Sequence, residues 1–147
     1  MRAPLSIVIP TLNVEESLPG CLHALMEGVQ TGLIRDLVIS DGGSTDRTLE
    51  IADAAGAELV AGAASRGGQL RRGAKAAKGG WLLFIHADTQ LAPGWSDAVR
   101  DHIEQQSDKA GWFALEFDRR GARRDGLLAG QICGLGRLGC PLAIRGF

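Results

Sequence analysis

Short apolar segments that end directly in polar residues recur along the first 90 residues of the chain. They read LSIVIP at residues 5–10, LVIS at residues 37–40 and WLLFI at residues 81–85. Runs of this length, rich in β-branched or aromatic side chains, are typical of buried strands. A further brief strand is predicted within GAELVAG, residues 56–62. The polar residues PTLNVEE, DGGSTD and HADT, which follow three of these strands, are then expected to lie in loops.

Segments with helical periodicity separate the strands. Apolar side chains at positions 18, 21, 22, 25, 26 and 29 share one face of a predicted helix. A second helix is predicted through residues 51–55, with Ser44 or Thr45 as its N-cap. A basic helix is predicted at residues 66–78, another helix at residues 95–106 and a strand near residues 112–117. A tail rich in glycine and arginine follows.

Strands that alternate with helices predict an α/β domain, in which a mostly parallel sheet has helices on both faces. The length of 147 residues fits one domain. In such sheets ligands bind beyond the carboxyl ends of the strands, where loops carry the polar groups that the core excludes. We therefore expect the three polar loops to meet along one edge of the sheet and to form a binding site there.

Charge is distributed unevenly along the chain, although the formal net charge is only −1. Residues 1–60 carry nine acidic and three basic residues, whereas residues 61–87 carry five basic residues and no acidic one. A local basic block in a nearly neutral protein suits a small anionic ligand. The solvated face of a helix is the simpler interpretation of this block, and an RNA-binding surface is another. The basic helix has no aromatic side chain that could stack on bases, so we predict no nucleic-acid partner.

Two aspartates follow predicted strands directly. Asp88 on its own most simply caps the next loop, but beside a basic helix it suits a divalent cation and a diphosphate. Mg²⁺ and Mn²⁺ favour carboxylate oxygens and keep positions open for phosphate oxygens. The ion and the arginines would stabilise negative charge on a departing phosphate. Asp41 either contacts a ribose or base edge or forms the turn before Gly42 and Gly43.

Three motifs in order and in register carry a resemblance to a known family. They are LSIVIPTLNVEESL, LVISDGGSTDRT and RGGQLRRGAKAAKGGWLLFIHADT. Over residues 5–94 the chain resembles the nucleotide-binding half of a family 2 glycosyltransferase, which has the GT-A fold. The wording of the third motif is most similar to a bacterial subgroup of small transferases associated with radical-SAM and selenium-related genes. Residues 95–147 would then begin the acceptor half.

The resemblance implies a nucleotide-binding set drawn from the three loops and from the basic helix. The set is Pro10, Thr11, Asn13, Glu15, Asp41, Gly42, Arg66, Arg72, His86, Ala87 and Asp88. The HAD sequence stands where the family usually has Asp-x-Asp, so the metal ligands implied for Mg²⁺ or Mn²⁺ are Asp88 and His86. A histidine in the first position supplies less charge than an acid, and a structural role is the alternative for His86.

The implied reaction moves a sugar from a nucleotide-diphosphate donor, a UDP-sugar by expectation, to an acceptor hydroxyl with inversion. Inverting members use a later carboxylate as general base. It is expected beyond Phe147, because Glu116 and Asp118, the acids on the predicted strand near residues 112–117, are more simply solvent-facing. The chain is therefore expected to be a fragment of a longer transferase. The alternative is a non-catalytic nucleotide-sugar-binding or regulatory protein.

Composition gives expectations about location and association. The three cysteines have no CxxC spacing, which indicates a reducing cytoplasm without a disulfide framework. The apolar stretch 127–144 is interrupted by Arg137 and four glycines, so no transmembrane helix is predicted, although weak membrane association is compatible with it. Truncation would leave apolar surface uncovered, which predicts a homo-oligomer.

Overall fold

The structure is a computed structural model that describes residues 2–117, 131–134 and 143–145. Strands and helices alternate up to β4, as the sequence predicts. The strands are β1 Leu5–Thr11, β2 Ile34–Asp41, β3 Glu58–Ala61, β4 Trp81–Phe84, β5 Thr89–Leu91, β6 Ala114–Phe117, β7 Gln131–Gly134 and β8 Ala143–Arg145. The helices are α1 Leu18–Gln30, α2 Thr48–Ala54, α3 Arg66–Ala76 and α4 Trp95–Gln105.

The larger of two sheets has the strand order β3-β2-β1-β4-β8. Its first four strands are parallel and β8 is antiparallel to β4, so the predicted mostly parallel sheet is confirmed. Strands β2 and β3 lie on one side of β1 and β4 lies on the other. The order of the strands therefore reverses between β1 and β4, and at such a switch point a crevice opens beyond their carboxyl ends. The smaller sheet has the order β5-β7-β6.

Both faces of the central strand β1 are buried. Ile7 and Ile9 belong to a large apolar cluster that includes residues of α1 and α4, whereas Val8 packs in a smaller cluster against α3. Burial on both faces explains why the strand reads as an almost continuous apolar run. Gly73 allows α3 to approach closely, since a Cβ there would lie 2.3 Å from Cγ1 of Val8. Cys21, on the apolar face of α1, is buried in the larger cluster.

Several predicted boundaries differ from those of the structure. The prediction that Ser44 or Thr45 caps α2 is wrong, because α2 begins at Thr48 and Arg47 stands at its N-cap without a side-chain bond. The Asp46 carboxylate accepts a hydrogen bond from the Thr48 N–H at 3.0 Å instead. Strands β5, β7 and β8 were not predicted, because each has only three or four residues and no alternating pattern.

No helix within the part of the chain that the structure describes is both long and apolar enough to cross a membrane. Within the apolar stretch 127–144, residues 131–134 form β7 and residues 143 and 144 belong to β8. The other residues of the stretch lie outside the described residues.

Candidate active site

An open cleft lies at the switch point of the sheet, beyond the carboxyl ends of β1 and β4. Its volume is about 400 Å³. We call it the strand-end cleft and define it by its lining residues: Pro10, Thr11, Leu12, Val14, Ser17, Arg66, Gln69, His86, Ala87 and Asp88. Six of these belong to the predicted nucleotide-binding set. The expectation that polar loops meet along one edge of the sheet therefore agrees with the structure for the loops after β1 and β4.

The turn after β4 presents His86 and Asp88 to the cleft. The Thr89 N–H donates to the His86 carbonyl at 3.0 Å and closes this turn. Beneath it, the Cys21 thiol donates to the same carbonyl at 3.6 Å. Burial and the nearby charge of Asp88 raise the pKa of the Cys21 thiol to about 12. The thiol therefore stays protonated, and the charge on this side of the cleft is that of the Asp88 carboxylate.

The first turn of α3 forms another wall of the cleft. Ser65 caps the helix by accepting a hydrogen bond from the Gly68 N–H at 3.3 Å. Arg66, the first residue of the helix, is exposed and lines the cleft. A helix N-terminus carries partial positive charge and unpaired N–H groups, which favour an anion. Arg66 adds a full positive charge at the same place.

Asp41 is only 2% exposed and its carboxylate is saturated by protein donors. Oδ1 accepts hydrogen bonds from the hydroxyls of Thr11 at 2.8 Å and Ser44 at 2.6 Å. Oδ2 accepts from the backbone N–H groups of Gly43 and Ser44, both at 2.8 Å. Burial alone would raise the pKa of Asp41, but the bonds from Ser44, Thr11 and Gly43 outweigh it and lower the pKa. The turn-forming interpretation describes these contacts, and a ligand would have to displace one of the bonds.

Asn13 and Glu15 join the loop after β1 to the loop after β2. The Asn13 amide oxygen accepts from the Thr45 N–H at 2.8 Å, and the Asn13 N–H donates to the Ser44 hydroxyl at 2.9 Å. The Glu15 carboxylate accepts from the Arg47 N–H at 2.9 Å. Neither side chain lines the cleft. Their predicted nucleoside contacts stay predictions, and the observed contacts hold the wall of the cleft in place.

Arg72 and Gly42 also lie behind the cleft wall. The Arg72 guanidinium donates to the carbonyls of Ala63 at 3.0 Å and Asp41 at 3.5 Å. The Gly42 N–H donates to the Thr11 carbonyl at 2.9 Å. Arg72 therefore tethers the segment after β3, and of the basic residues in the predicted basic helix it is Arg66 that lines the cleft.

The predicted metal ligands Asp88 and His86 would supply only part of the coordination of a cation. Among residues 2–117, 131–134 and 143–145, no group of three or more histidine, cysteine or acidic side chains is placed to hold a metal ion. Asp88 and His86 are half-buried on the same cleft. The Asp88 carboxylate suits Mn²⁺ or Mg²⁺ when the ligand's phosphate oxygens and water complete the coordination, and the His86 imidazole could add a nitrogen ligand to Mn²⁺.

Four lining residues were missed by sequence reasoning: Leu12, Val14, Ser17 and Gln69. Gln69 is the one with a detectable signal, because it lies three positions after Arg66 on the same helix and thus on the same face. The structure tests neither the general base expected beyond Phe147 nor the two acids weighed as alternatives. Glu116 lies on β6, whose pairing with β7 is described, and Asp118 lies outside the described residues.

Comparison with known families identifies the chain. A model of glycosyl transferase family 2 matches residues 6–126, which is most of the length of this chain. The chain belongs to glycosyl transferase family 2. The GT-A-like fold and the family resemblance of the three motifs are thereby confirmed. The narrower bacterial subgroup stays a prediction.

Mycobacterial proteins are among those similar to the chain. A "PGL/p-HBAD biosynthesis glycosyltransferase" of Mycobacterium tuberculosis is 43% identical over 99 residues, covering 62% of this chain and 38% of that protein. The M. tuberculosis glucosyl-3-phosphoglycerate synthase with Mn²⁺ and UDP-glucose superposes with a TM-score of 0.65 at 26% identity, over 80% of this chain and 44% of that one. Its complex with Mg²⁺ and UDP gives a TM-score of 0.52 at 31% identity, over 58% and 33%. This family 2 chain thus spans less than two fifths of the curated relative.

Proposed function

We propose that this chain is the donor-binding part of a glycosyltransferase that moves a sugar from a UDP-linked donor to an acceptor hydroxyl. The observation that carries the proposal is the placement of Arg66, His86 and Asp88 around one cleft at the strand ends. A cation on one wall and an acid with an imidazole on the other form a site for a metal-bound diphosphate. Membership of the family and the UDP complexes of the similar synthase support the same proposal.

Each residue has a distinct task in the proposed reaction. Asp88, with His86, would hold Mg²⁺ or Mn²⁺, and the bound ion would neutralise charge on the diphosphate leaving group. Arg66 and the N-terminal turn of α3 would stabilise the remaining charge from the opposite wall. Thr11 and Pro10, at the end of β1, would contact the nucleotide. Inversion at the sugar carbon is also part of the proposal, which assigns the role of general base to none of the described residues.

A thermal-shift titration with UDP, with and without Mn²⁺, tests the donor site. Ligand at a hundred times its Kd stabilises the folded state by about 2.7 kcal/mol. For a chain of this size the transition should rise by roughly 5–10 °C. Asp88→Ala and Asp88→Asn should abolish the Mn²⁺-dependent part. Asp101→Ala, which removes an exposed aspartate on α4, is the matched control and should behave as the wild type.

Two outcomes separate the proposal from its rivals. If neither UDP nor Mn²⁺ changes the transition of the wild-type chain, the proposed donor site is wrong. If UDP binds with Mn²⁺, a donor-hydrolysis assay with UDP-glucose distinguishes a transferase from a protein that only binds the nucleotide. Release of glucose would exclude the non-catalytic alternative.

A further inference from the structure

Gln69 places a buried side-chain amide against the carboxyl ends of two neighbouring strands. Its Nε2 donates to the carbonyl oxygen of Thr11 on β1 at 2.8 Å and to that of Ser40 on β2 at 3.0 Å. Both amide hydrogens are therefore used. Rotating the amide by half a turn would place Oε1 against the two carbonyl oxygens. This contact would be repulsive, because all three oxygens are acceptors. The orientation of the amide is thus fixed by the backbone.

The oxygen of the same amide is not used by the bonds to the two strands. Gln69 is only 6% exposed and lines the cleft. Within the part of the chain that the structure describes, the fully buried side-chain polar atoms without a partner are Ser40 Oγ and Arg72 Nε. Gln69 Oε1 is not one of them, and no described residue donates to it. Since Gln69 lines the cleft, the cleft is the side from which a ligand would reach this oxygen.

The position of Gln69 indicates which part of a nucleotide would lie near it. A phosphate group offers oxygen acceptors and would not donate to Oε1. Gln69 contacts β1 and β2, whereas His86 and Asp88 follow β4 on the other side of β1. With the metal and diphosphate at the β4 side, the nucleoside is the part of the ligand that would extend toward Gln69.

We propose that Gln69 Oε1 determines specificity by accepting a hydrogen bond from the nucleoside, either from the imide N–H of a uracil base or from a ribose hydroxyl. This inference rests on the proposed function, since it requires a nucleotide in the cleft. The acceptor is held in place before the ligand arrives, so little side-chain entropy is lost on binding. An analogue without the donor would leave a nearly buried oxygen unpaired, which such a site disfavours.

The test combines changes in the ligand with changes in the protein. The wild-type chain, Gln69→Lys and Gln69→Met are titrated calorimetrically with UDP, N3-methyl-UDP, 2′-deoxy-UDP and 3′-deoxy-UDP. The wild type should bind UDP about fivefold more tightly than the analogue that lacks the donor. Both variants should lose this preference. Weaker binding of N3-methyl-UDP by the wild type would identify the base as the donor, and weaker binding of a deoxy analogue would identify a ribose hydroxyl.

Lysine keeps donors for the two carbonyls while it removes the acceptor. Its positive charge raises the affinity for every diphosphate alike, so the ratio between analogues is unaffected. Gln30→Lys, on the exposed last turn of α1, adds the same charge away from the cleft and should keep the wild-type ratio. Circular dichroism and the thermal transition verify that each variant is folded.

Three results would overturn the inference. If the wild-type chain binds all three analogues as tightly as UDP, the inference is wrong, and no variant is needed to show it. A folded Gln69→Lys that keeps the wild-type preference assigns the preference to another residue and leaves the proposed function standing. If the wild type does not bind UDP at all, the proposed function and this inference both fail.

Discussion

Asn13 accepts a hydrogen bond from the Thr45 N–H at 2.8 Å, although 32 positions separate the two residues in the chain. The bond joins the loop after β1 to the loop after β2. Asn13 has a positive φ of 51°, a backbone conformation that asparagine tolerates better than most residues. A single residue therefore provides both the left-handed backbone conformation in the loop after β1 and the side-chain contact that fixes the neighbouring loop.

Replacing Asn13 should separate these two contributions. Asn13→Ala loses the bond and adds strain at positive φ, so we expect a loss of about 2–3 kcal/mol of unfolding free energy. Asn13→Gly tolerates the backbone conformation and loses only the bond, with an expected cost of about 1 kcal/mol. Urea denaturation measures both. Equal losses in the two variants would show that the positive φ carries no strain.

Asp41 should make stability depend on pH. The bonds to its carboxylate lower its pKa relative to the unfolded chain, even though burial opposes them. A carboxyl with a lowered pKa stabilises the folded state fully above the unfolded pKa, near 4, and this contribution is lost as the pH falls through the folded pKa. Asp41→Asn should therefore cost about 2–3 kcal/mol at pH 7 and less at pH 3. Asp53→Asn, at an exposed position on α2, is the control, and a pH-independent difference at Asp41 would contradict the assignment.

Glu27 on α1 should be required for the start of α4. Its carboxylate accepts hydrogen bonds from the Gly94 N–H at 2.9 Å, the Ser96 N–H at 2.9 Å and the Ser96 hydroxyl at 2.7 Å. The Ser96 hydroxyl is the main reason why the pKa of Glu27 is lowered. Glu27→Ala removes a cap supplied by another helix, with an expected cost of about 1–2 kcal/mol. Faster amide exchange confined to α4 would support this, whereas an unchanged exchange pattern would refute it. Glu16→Ala serves as an exposed control.

Gly73 and Gly67, on the same helix, should respond oppositely to alanine. A Cβ at Gly73 would overlap Val8, so Gly73→Ala should cost about 1–3 kcal/mol. A Cβ at Gly67 meets no atom within 4 Å, so Gly67→Ala should be neutral or stabilising by up to about 1 kcal/mol. Thermal denaturation of both variants checks the pair. The double variant Gly73→Ala with Val8→Ala should recover part of the loss, and failure to recover would place the strain elsewhere.

Arg66 and Arg72 should differ in what their loss affects. Arg66→Ala removes an exposed cation at the cleft, so we expect UDP affinity to fall about tenfold with little change in stability. Arg72→Ala removes donors to two backbone carbonyls and should cost about 1–2 kcal/mol of stability. Calorimetric titration and urea denaturation of both variants give the comparison. A reversed pattern would place Arg72 on the diphosphate.

The order of strands and helices follows from the sequence because it depends on local patterns. The apolar runs of β1 and β4 and the single apolar face of α1 each lie within one short segment. The rule that parallel strands present their carboxyl ends to one edge then brings the turn of His86 and Asp88 to the end of β1. The short strands β5, β7 and β8 carry too few residues for such a pattern.

Which polar groups face the cleft was decided by the tertiary structure. Asp41, Asn13 and Arg72 have the residue types expected of a nucleotide site, yet each bonds to groups of the protein that come from another segment. Gln69 carries no motif of its own, but its amide donates to the ends of two strands and the residue lines the cleft. The physical reason is that a buried polar group must find its partners in space. Several of those partners, such as Thr11 for Asp41 and Thr45 for Asn13, lie thirty or more positions away along the chain, where local sequence patterns carry no information about them.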